Sequence, residues 1–361
     1  LFIIKKLNKL LKIKYLRYTI LFKWLLSFIT LWLFFVLNIF LGSVQIPFLE
    51  IVSVLLEVES ADPTWRNIIW EIRFPRAVTA VLAGSALALS GLQMQTLFRN
   101  PLAGPSILGI TSGASLGVAL VILGSGSAIG IFSLQNWGVW GTWLLVLFAV
   151  LGAVLVMTLV LIIALWVKDN VVLLIIGMML GNLTSALVGL WQYFSSPEQV
   201  QDYLLWTFGS LGGVSLVQLQ VLAISVLFGI VVSFSLVKPL NALLLGENYA
   251  QSMGLNIIYT RAVIILITSV LAGSVTAFCG LIGFVGIAVP HLCRAWFKTS
   301  NHLILIPASI LLGAIMMLFC DIIAKLPGTS LTLPINSVTS LIGSPVVIWV
   351  IIRSKNLRRG F

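Results

Sequence analysis

The chain has 361 residues, 60% of them hydrophobic and only 9% charged, with a mean hydropathy of +1.14 and a formal net charge of +11. A soluble domain carries about a quarter charged residues, so this apolar excess excludes a single water-soluble globule and predicts an all-α polytopic membrane protein. Cys279, Cys293 and Cys320 form no CxxC pair, and His291 and His302 stand far apart, which argues against a disulfide framework, redox work or a metal cluster.

The opening "LFIIKKLNKLLKIKYLRYTILFK" is a basic N-terminal segment (1–19) that leads into an apolar run with no small-residue cleavage site, so the first hydrophobic segment is expected to remain as a span. Runs of about 20 apolar residues, divided by Gly, Pro and charge, predict ten transmembrane helices. They cover 20–42, 74–97, 106–124, 139–167, 171–194, 215–237, 260–279, 281–297, 302–324 and 334–352, so one transmembrane domain fills 20–352 and a basic tail occupies 353–361.

An even count places both termini on one side, and the basic residues say which. Lys5, Lys6, Lys9, Lys12, Lys14, Arg17 and Lys23 precede the first span and Arg353, Lys355, Arg358 and Arg359 follow the last, so both termini are expected in the cytoplasm. With this topology the inner side carries 17 basic residues against Asp169 and Glu247, and the outer side 4 against eight acids; the balances of +15 and −4 recover the total of +11. The high pI is thereby assigned to cytoplasmic rims rather than to nucleic-acid binding.

"LAGSALALSGL" (Leu82 to Leu92) echoes "LAGSVTAFCGL" (Leu271 to Leu281) at seven of eleven positions. Five spans separate the copies, which would make them run in opposite directions, as in an inverted repeat of spans 2–5 and 7–10. Chance similarity between closely packed small-residue helices is the equal alternative.

No GxxxxGK[ST] is present, so the chain is not expected to hold ATP itself. Asp169, Asp321 and Glu247 lie near span ends or in loops and form no mid-membrane ion relay, so energy must come from a partner. The longest inner loop, "KPLNALLLGENYAQSMGLNIIYTR" (238–261), reads as two short helical pieces around Gly246 and Gly254. Ala250 and Gly254, four apart, would let a helical corner seat in a groove of another protein, and Gly254 suits a left-handed C-cap; a plain amphipathic surface loop is the alternative.

The stretch "RFPRAVTAVLAGSALALSGLQMQTLFRNPLAGPSILGITSGASLG" (73–117) resembles the FecCD-like permeases of binding-protein-dependent ABC importers, which serve ferric siderophores, haem and cobalamin. "GENYAQSMGLN", "GLIGFVGIAVPHLCRAW", "DIIAK" and "LPINSVTSLIGSPVVIWVI" extend the resemblance to residue 351, in family order. It implies a permease of the bacterial inner membrane that pairs with a second permease subunit, rests on two cytoplasmic ATPases that use the ATP, and receives substrate from an extracytoplasmic binding protein. It implies no bound metal or cofactor and no catalytic residue.

By the same resemblance Arg73, Arg76 and Lys325 form salt bridges with acids of the binding protein. Read from the residues alone, the two arginines would instead cap helix ends or pair with Glu71. Gly246, Glu247, Ala250 and Gly254 belong to the ATPase-coupling loop. Asn100, Leu102, Lys168, Asp169 and Asn170 match a cytoplasmic gate, although "KDN" departs from the small hydroxylic residues expected there, and turn chemistry explains "RNPLAGP" nearly as well. A structural place in the bundle is expected for His291 and Arg294. Trp191, Tyr203 and Trp206 suit an interfacial belt beside a short helix. A ferric siderophore is the expected substrate, with haem or cobalamin as alternatives. An ion-coupled secondary carrier is the competing class, and an intramembrane enzyme is the third and finds no support, with no HExxH in the chain.

Overall fold

The computed structural model describes residues 2–56, 62–124, 138–164, 166, 170–326 and 331–354. These form fifteen α-helices and one π-helical turn, with no strand among the described residues. The first helix, α1 (Phe2–Phe40), is a single rod of 39 residues. At ~1.5 Å per residue it is ~58 Å long, about twice a bilayer's hydrocarbon core, and its apolar span is Thr19–Phe40.

Helices α2 (Phe48–Leu55) and α3 (Pro63–Asn67) follow between the first two predicted spans. Asp62 caps α3 by accepting from the Thr64 N–H at 2.7 Å, with Pro63 at the first helical position, where its missing N–H costs nothing. A π-helical turn, Ile68–Arg73, then runs without a break into α4 (Phe74–Leu97), whose bounds match the second predicted span.

Helix α4 is the axis of the bundle and is buried along most of its length. Around it pack α9 (Leu216–Ser235), α12 (Ile257–Cys279), α13 (Val285–Phe297) and α14 (His302–Ala324). Helix α5 (Ile110–Ile122) pairs with α6 (Gly138–Ala164) and α7 (Asn170–Tyr193), while α15 (Ile335–Ser354) lies against α13 and α14. Three short helices connect them: α8 (Pro197–Phe208), α10 (Val237–Leu244) and α11 (Glu247–Ser252).

Small residues set how closely the rods approach. A Cβ on Gly84 would stand 2.1 Å from the Gly313 carbonyl oxygen of α14, and one on Gly91 would stand 1.7 Å from that of Gly286 on α13. Both helices therefore press their backbones directly against α4, which needs bare Cα positions on each side.

Among the described residues seven helices are long and apolar enough to cross a membrane. The expected spans at 106–124, 281–297 and 334–352 are not among them. Helices α5 and α13 have 13 residues each, about 20 Å of rise. The chain between α4 and α5 is irregular up to Gly109 at φ +84°, and α13 starts only after Gly280 at φ +73° and Phe284 at φ +64°. The apolar part of α15 is Ile335–Trp349. The sequence echo also diverges in form: its first copy lies wholly in α4, whereas its second leaves α12 at Cys279.

Replacing Gly84 with Leu is expected to lower unfolding stability in detergent by about 1–3 kcal/mol through overpacking. Gly189→Leu, on α7 where an added Cβ meets nothing within 4 Å, serves as control. Equal stability of the two variants would contradict the close α4–α14 contact.

Candidate functional site

At one end of the bundle the start of α4 meets the ends of α1 and α14. Arg73 is buried, and its guanidinium donates to the carbonyl oxygens of Ile39 (2.8 Å), Phe40 (2.9 Å) and Val44. It thus satisfies carbonyls that α1 leaves without helical partners. Arg76 Nε donates to Asp321 Oδ1 at 2.9 Å, and its side chain keeps 17% of its exposure. Lys325 Nζ lies 3.1 Å from Asp321 Oδ2 and donates to Asn38 O at 2.8 Å and to Asn38 Oδ1.

All three predicted docking cations thus converge, but two are buried within the chain. Neither arginine pairs with Glu71, which is exposed. The anion is Asp321, buried on α14, and the sequence reading placed it only near a helix end. The i,i+4 spacing of Asp321 and Lys325 in "DIIAK" was its signal. Arg76 also lines a cavity of about 220 Å³ with Phe208, Ser210, Thr332 and Pro334, so it alone of the three faces open space.

Beside this end, α8 begins in a capping box formed by Ser196 and Gln199. Tyr203 and Trp206 turn inward rather than forming a belt. The Tyr203 hydroxyl lies 2.6 Å from Ser115 Oγ, and Trp206 Nε1 donates to Ala277 O at 3.1 Å. Burial raises the Tyr203 phenol above its ordinary value, so it stays protonated. Residues 113–117, "GASLG", have the GxSxG spelling of a nucleophile elbow. They lie inside α5, however, with Ser115 committed to Tyr203 instead of exposed on a strand-to-helix turn.

The opposite end carries α10 and α11. Gly254, at φ +86°, closes α11 as a Schellman motif: its N–H bonds to Gln251 O (2.9 Å) and the Leu255 N–H to Ala250 O (3.1 Å). Gly246 has φ +109°, and Glu247 pairs with Arg261 at the start of α12. Ala250, expected to face a partner, is fully buried against its own chain, because the helical turn that presents Gly254 outward points Ala250 inward. What is exposed is a group of large apolar side chains, Leu245, Tyr249, Met253, Ile258 and Tyr259, between 57% and 83% accessible. Scattered through the loop sequence, they carry no periodic signal.

Of the gate candidates, Asn100 Oδ1 accepts from the Leu102 N–H at 2.9 Å, an Asx-type turn, and Leu102 is half-exposed. Asn170 begins α7, while Lys168 and Asp169 lie outside the described residues. His291 Nε2 is 2.8 Å from Pro101 O, and Arg294 Nη1 donates to Gln95 Oε1 at 2.5 Å, so α13 holds the turn from behind. The three cysteines are buried thiols.

Comparison with known proteins follows this architecture. The FecCD transport family matches residues 30–353. The chain belongs to the FecCD transport family. Vitamin B12 import system permease proteins BtuC of Salmonella paratyphi A and Salmonella typhimurium are each 38% identical over 289 residues, 79% of this chain and 84% of theirs. A metal-chelate-type ABC transporter solved in an inward-facing conformation superposes with a TM-score of 0.75 at 31% identity, over 91% of this chain and 97% of that one. PsaBC of Streptococcus pneumoniae, in complex with Fab, shares the fold alone, with a TM-score of 0.51 at 15% identity, over 83% of this chain and 95% of that one. The FecCD member described here is a multi-pass permease subunit of a bacterial ABC importer in the inner membrane, and not itself an enzyme.

Asp321→Leu is expected to leave Lys325 buried without a counter-charge and to cost about 3–5 kcal/mol of unfolding stability. Asp321→Leu combined with Lys325→Met should recover part of that loss. A single variant as stable as the parent in denaturant titrations would contradict the buried pair.

Proposed function

We propose that this permease, paired with a copy of itself or a similar chain, forms the pathway by which a metal chelate crosses the inner membrane. An extracytoplasmic binding protein delivers the chelate, and two cytoplasmic ATPases that bind the ATP drive its passage. In this reading the chain crosses ten times with both termini in the cytoplasm, the Arg76 end faces outward, and the α10–α11 end faces the ATPases.

The observation that carries the reading is the apolar patch on α11 and the start of α12. Leu245, Tyr249 and Met253 stand exposed on the segment between the spans Leu216–Ser235 and Ile257–Cys279, with Ile258 and Tyr259 beside them on the first turn of the latter, and an exposed patch of this kind outside the apolar spans marks a protein contact. Gly246, at φ +109° before α11, and the Schellman cap at Gly254 hold the patch in shape. A second support is Asn182 and Ser185, exposed midway along α7 beside a cavity of about 290 Å³. Polar groups at that depth belong against a water-filled path rather than lipid, which suits a conduit shared by two subunits.

In this reading the outer side is acidic overall, but Arg76 and Lys325 share the one buried carboxylate of Asp321, which leaves a local positive excess that an acidic partner could meet at Arg76. Arg76 is the direct contact in this reading, while Arg73 and Lys325 shape the lip from within. Asn100 and Leu102, with the link at 168–170, are the inner gate. A ferric siderophore is the substrate favoured by the motif resemblance. The 38% identity with vitamin B12 permeases favours a cobalt corrinoid as the second reading.

Reconstitution in liposomes with the cognate ATPase and binding protein tests this. Uptake of iron-55-labelled siderophore or labelled cyanocobalamin should require ATP and should identify the substrate class. Gly254→Trp, strained by about 1–2 kcal/mol at a positive φ and bulky on the docking face, should weaken ATPase attachment about tenfold or more. Arg76→Glu should slow capture of the binding protein and leave ATPase attachment intact. Uptake without the ATPase, or intact assembly with Gly254→Trp, would contradict the proposal.

A further inference from the structure

Helix α10 is joined to the end of α4 by a chain of polar contacts that starts at the surface and passes inward through one buried imidazole. Asn301 caps α14, its Oδ1 accepting from the Leu303 N–H at 3.0 Å, and this orients its amide. Asn241 on α10 donates from Nδ2 to the same oxygen at 3.0 Å, which turns Asn241 Oδ1 toward His302. That oxygen lies 2.9 Å from both the backbone N and Nδ1 of His302. Because Oδ1 only accepts, His302 Nδ1 carries the proton. The other ring nitrogen, Nε2, can then only accept, and it lies 2.9 Å from Thr96 Oγ1 on α4, whose one hydroxyl proton is shared between this nitrogen and Leu92 O, also 2.9 Å away. His302 and Thr96 are each 1% exposed, so neither bond can be replaced by bulk water without opening the packing.

Thr96 stands where α4 hands over to the gate turn. The Arg99 N–H bonds to Thr96 O at 3.2 Å, and the Asn100 N–H to Gln95 O at 3.1 Å. A displacement of α10 therefore reaches the turn at Asn100 through two side-chain bonds and one helix end, while α13 anchors the far side of the turn at Pro101. Without this contact α10 would meet α4 only through apolar packing such as that of Leu240 and Leu243, which slides more freely than directed bonds.

We propose that His302 is the positioning residue that couples the α10–α11 loop to the gate, with Asn241 and Thr96 as its two contacts. The proposal rests on the reading of that loop as the ATPase contact. Neither histidine was singled out for such a role by the sequence, because the bond partners of His302 lie 61 and 206 positions away.

The test uses the assembled complex of permease, ATPases and binding protein, with Leu102→Cys as a gate probe. The native cysteines are buried, so a thiol reagent reads position 102. In the parent complex, nucleotide should change the reactivity at 102. Thr96→Val, which keeps the side chain's shape and removes the hydroxyl, should leave ATPase attachment and ATP hydrolysis in place and reduce that nucleotide-dependent change roughly fivefold or more. His302→Ala should do the same, and Thr96→Ser should restore the parent response. An unaltered response in Thr96→Val would overturn the proposal, as would loss of attachment in Thr96→Val, which would mark the contact as purely structural. Failure of the loop reading itself is separable, because it appears as intact assembly in the Gly254→Trp complex.

Discussion

Within a bilayer every polar group must find a partner inside the protein, and α4 is where this chain meets that demand. Its middle is lined with Ala, Ser and Gly and touches α14 and α13 backbone to backbone through Gly84 and Gly91. Its two ends carry what the middle cannot. At one end Arg73 and Arg76 are neutralised or satisfied by Asp321 and by the terminal carbonyls of α1. At the other, Gln95 and Thr96 reach Arg294 and His302. Two ions at the bilayer midplane would cost several kcal/mol each even on insertion scales, so placing the charges at the ends keeps the rod compatible with lipid.

This arrangement connects the two ends of the bundle through one element. The cluster at Asp321 ties α4 to α1 and α14, and the contacts of Gln95 and Thr96 tie its other end to α13 and α14 and, through His302, to α10. A packed helix whose neighbours abut its backbone does not compress, so displacement at one end is carried along its axis. In the proposed reading, alternating access would follow from two ends that each exchange partners about a stiff middle, with a binding protein at the Arg76 lip and the ATPases at the Tyr249 patch.

Much of this was legible in the residues. Helices α4 and α14 match their predicted spans because Pro75, Asn100, Asn301 and Lys325 punctuate unbroken apolar runs. Gly254 announced its left-handed cap for the same local reason. Helices α5 and α13 proved shorter than predicted, since hydropathy does not register where positive-φ residues delay helix onset after a non-helical re-entry. The roles of Asp321 and His302 were hidden more deeply. Their partners are distant in sequence, and burial reverses the first impression that a charge or imidazole near a helix end is solvated. Ala250 misled in the opposite sense, because small size serves close packing inside a chain as well as between chains.

The account depends on the Arg76 lip and the Tyr249 patch lying on opposite faces of the membrane. Single cysteines introduced at Gly213, exposed near the lip, and at Tyr249 can be treated in intact cells with a membrane-impermeant thiol reagent. The cysteine at 213 should react from outside, and the cysteine at 249 only after the inner membrane is breached. Reaction of both from the same side would contradict the topology on which the coupling rests.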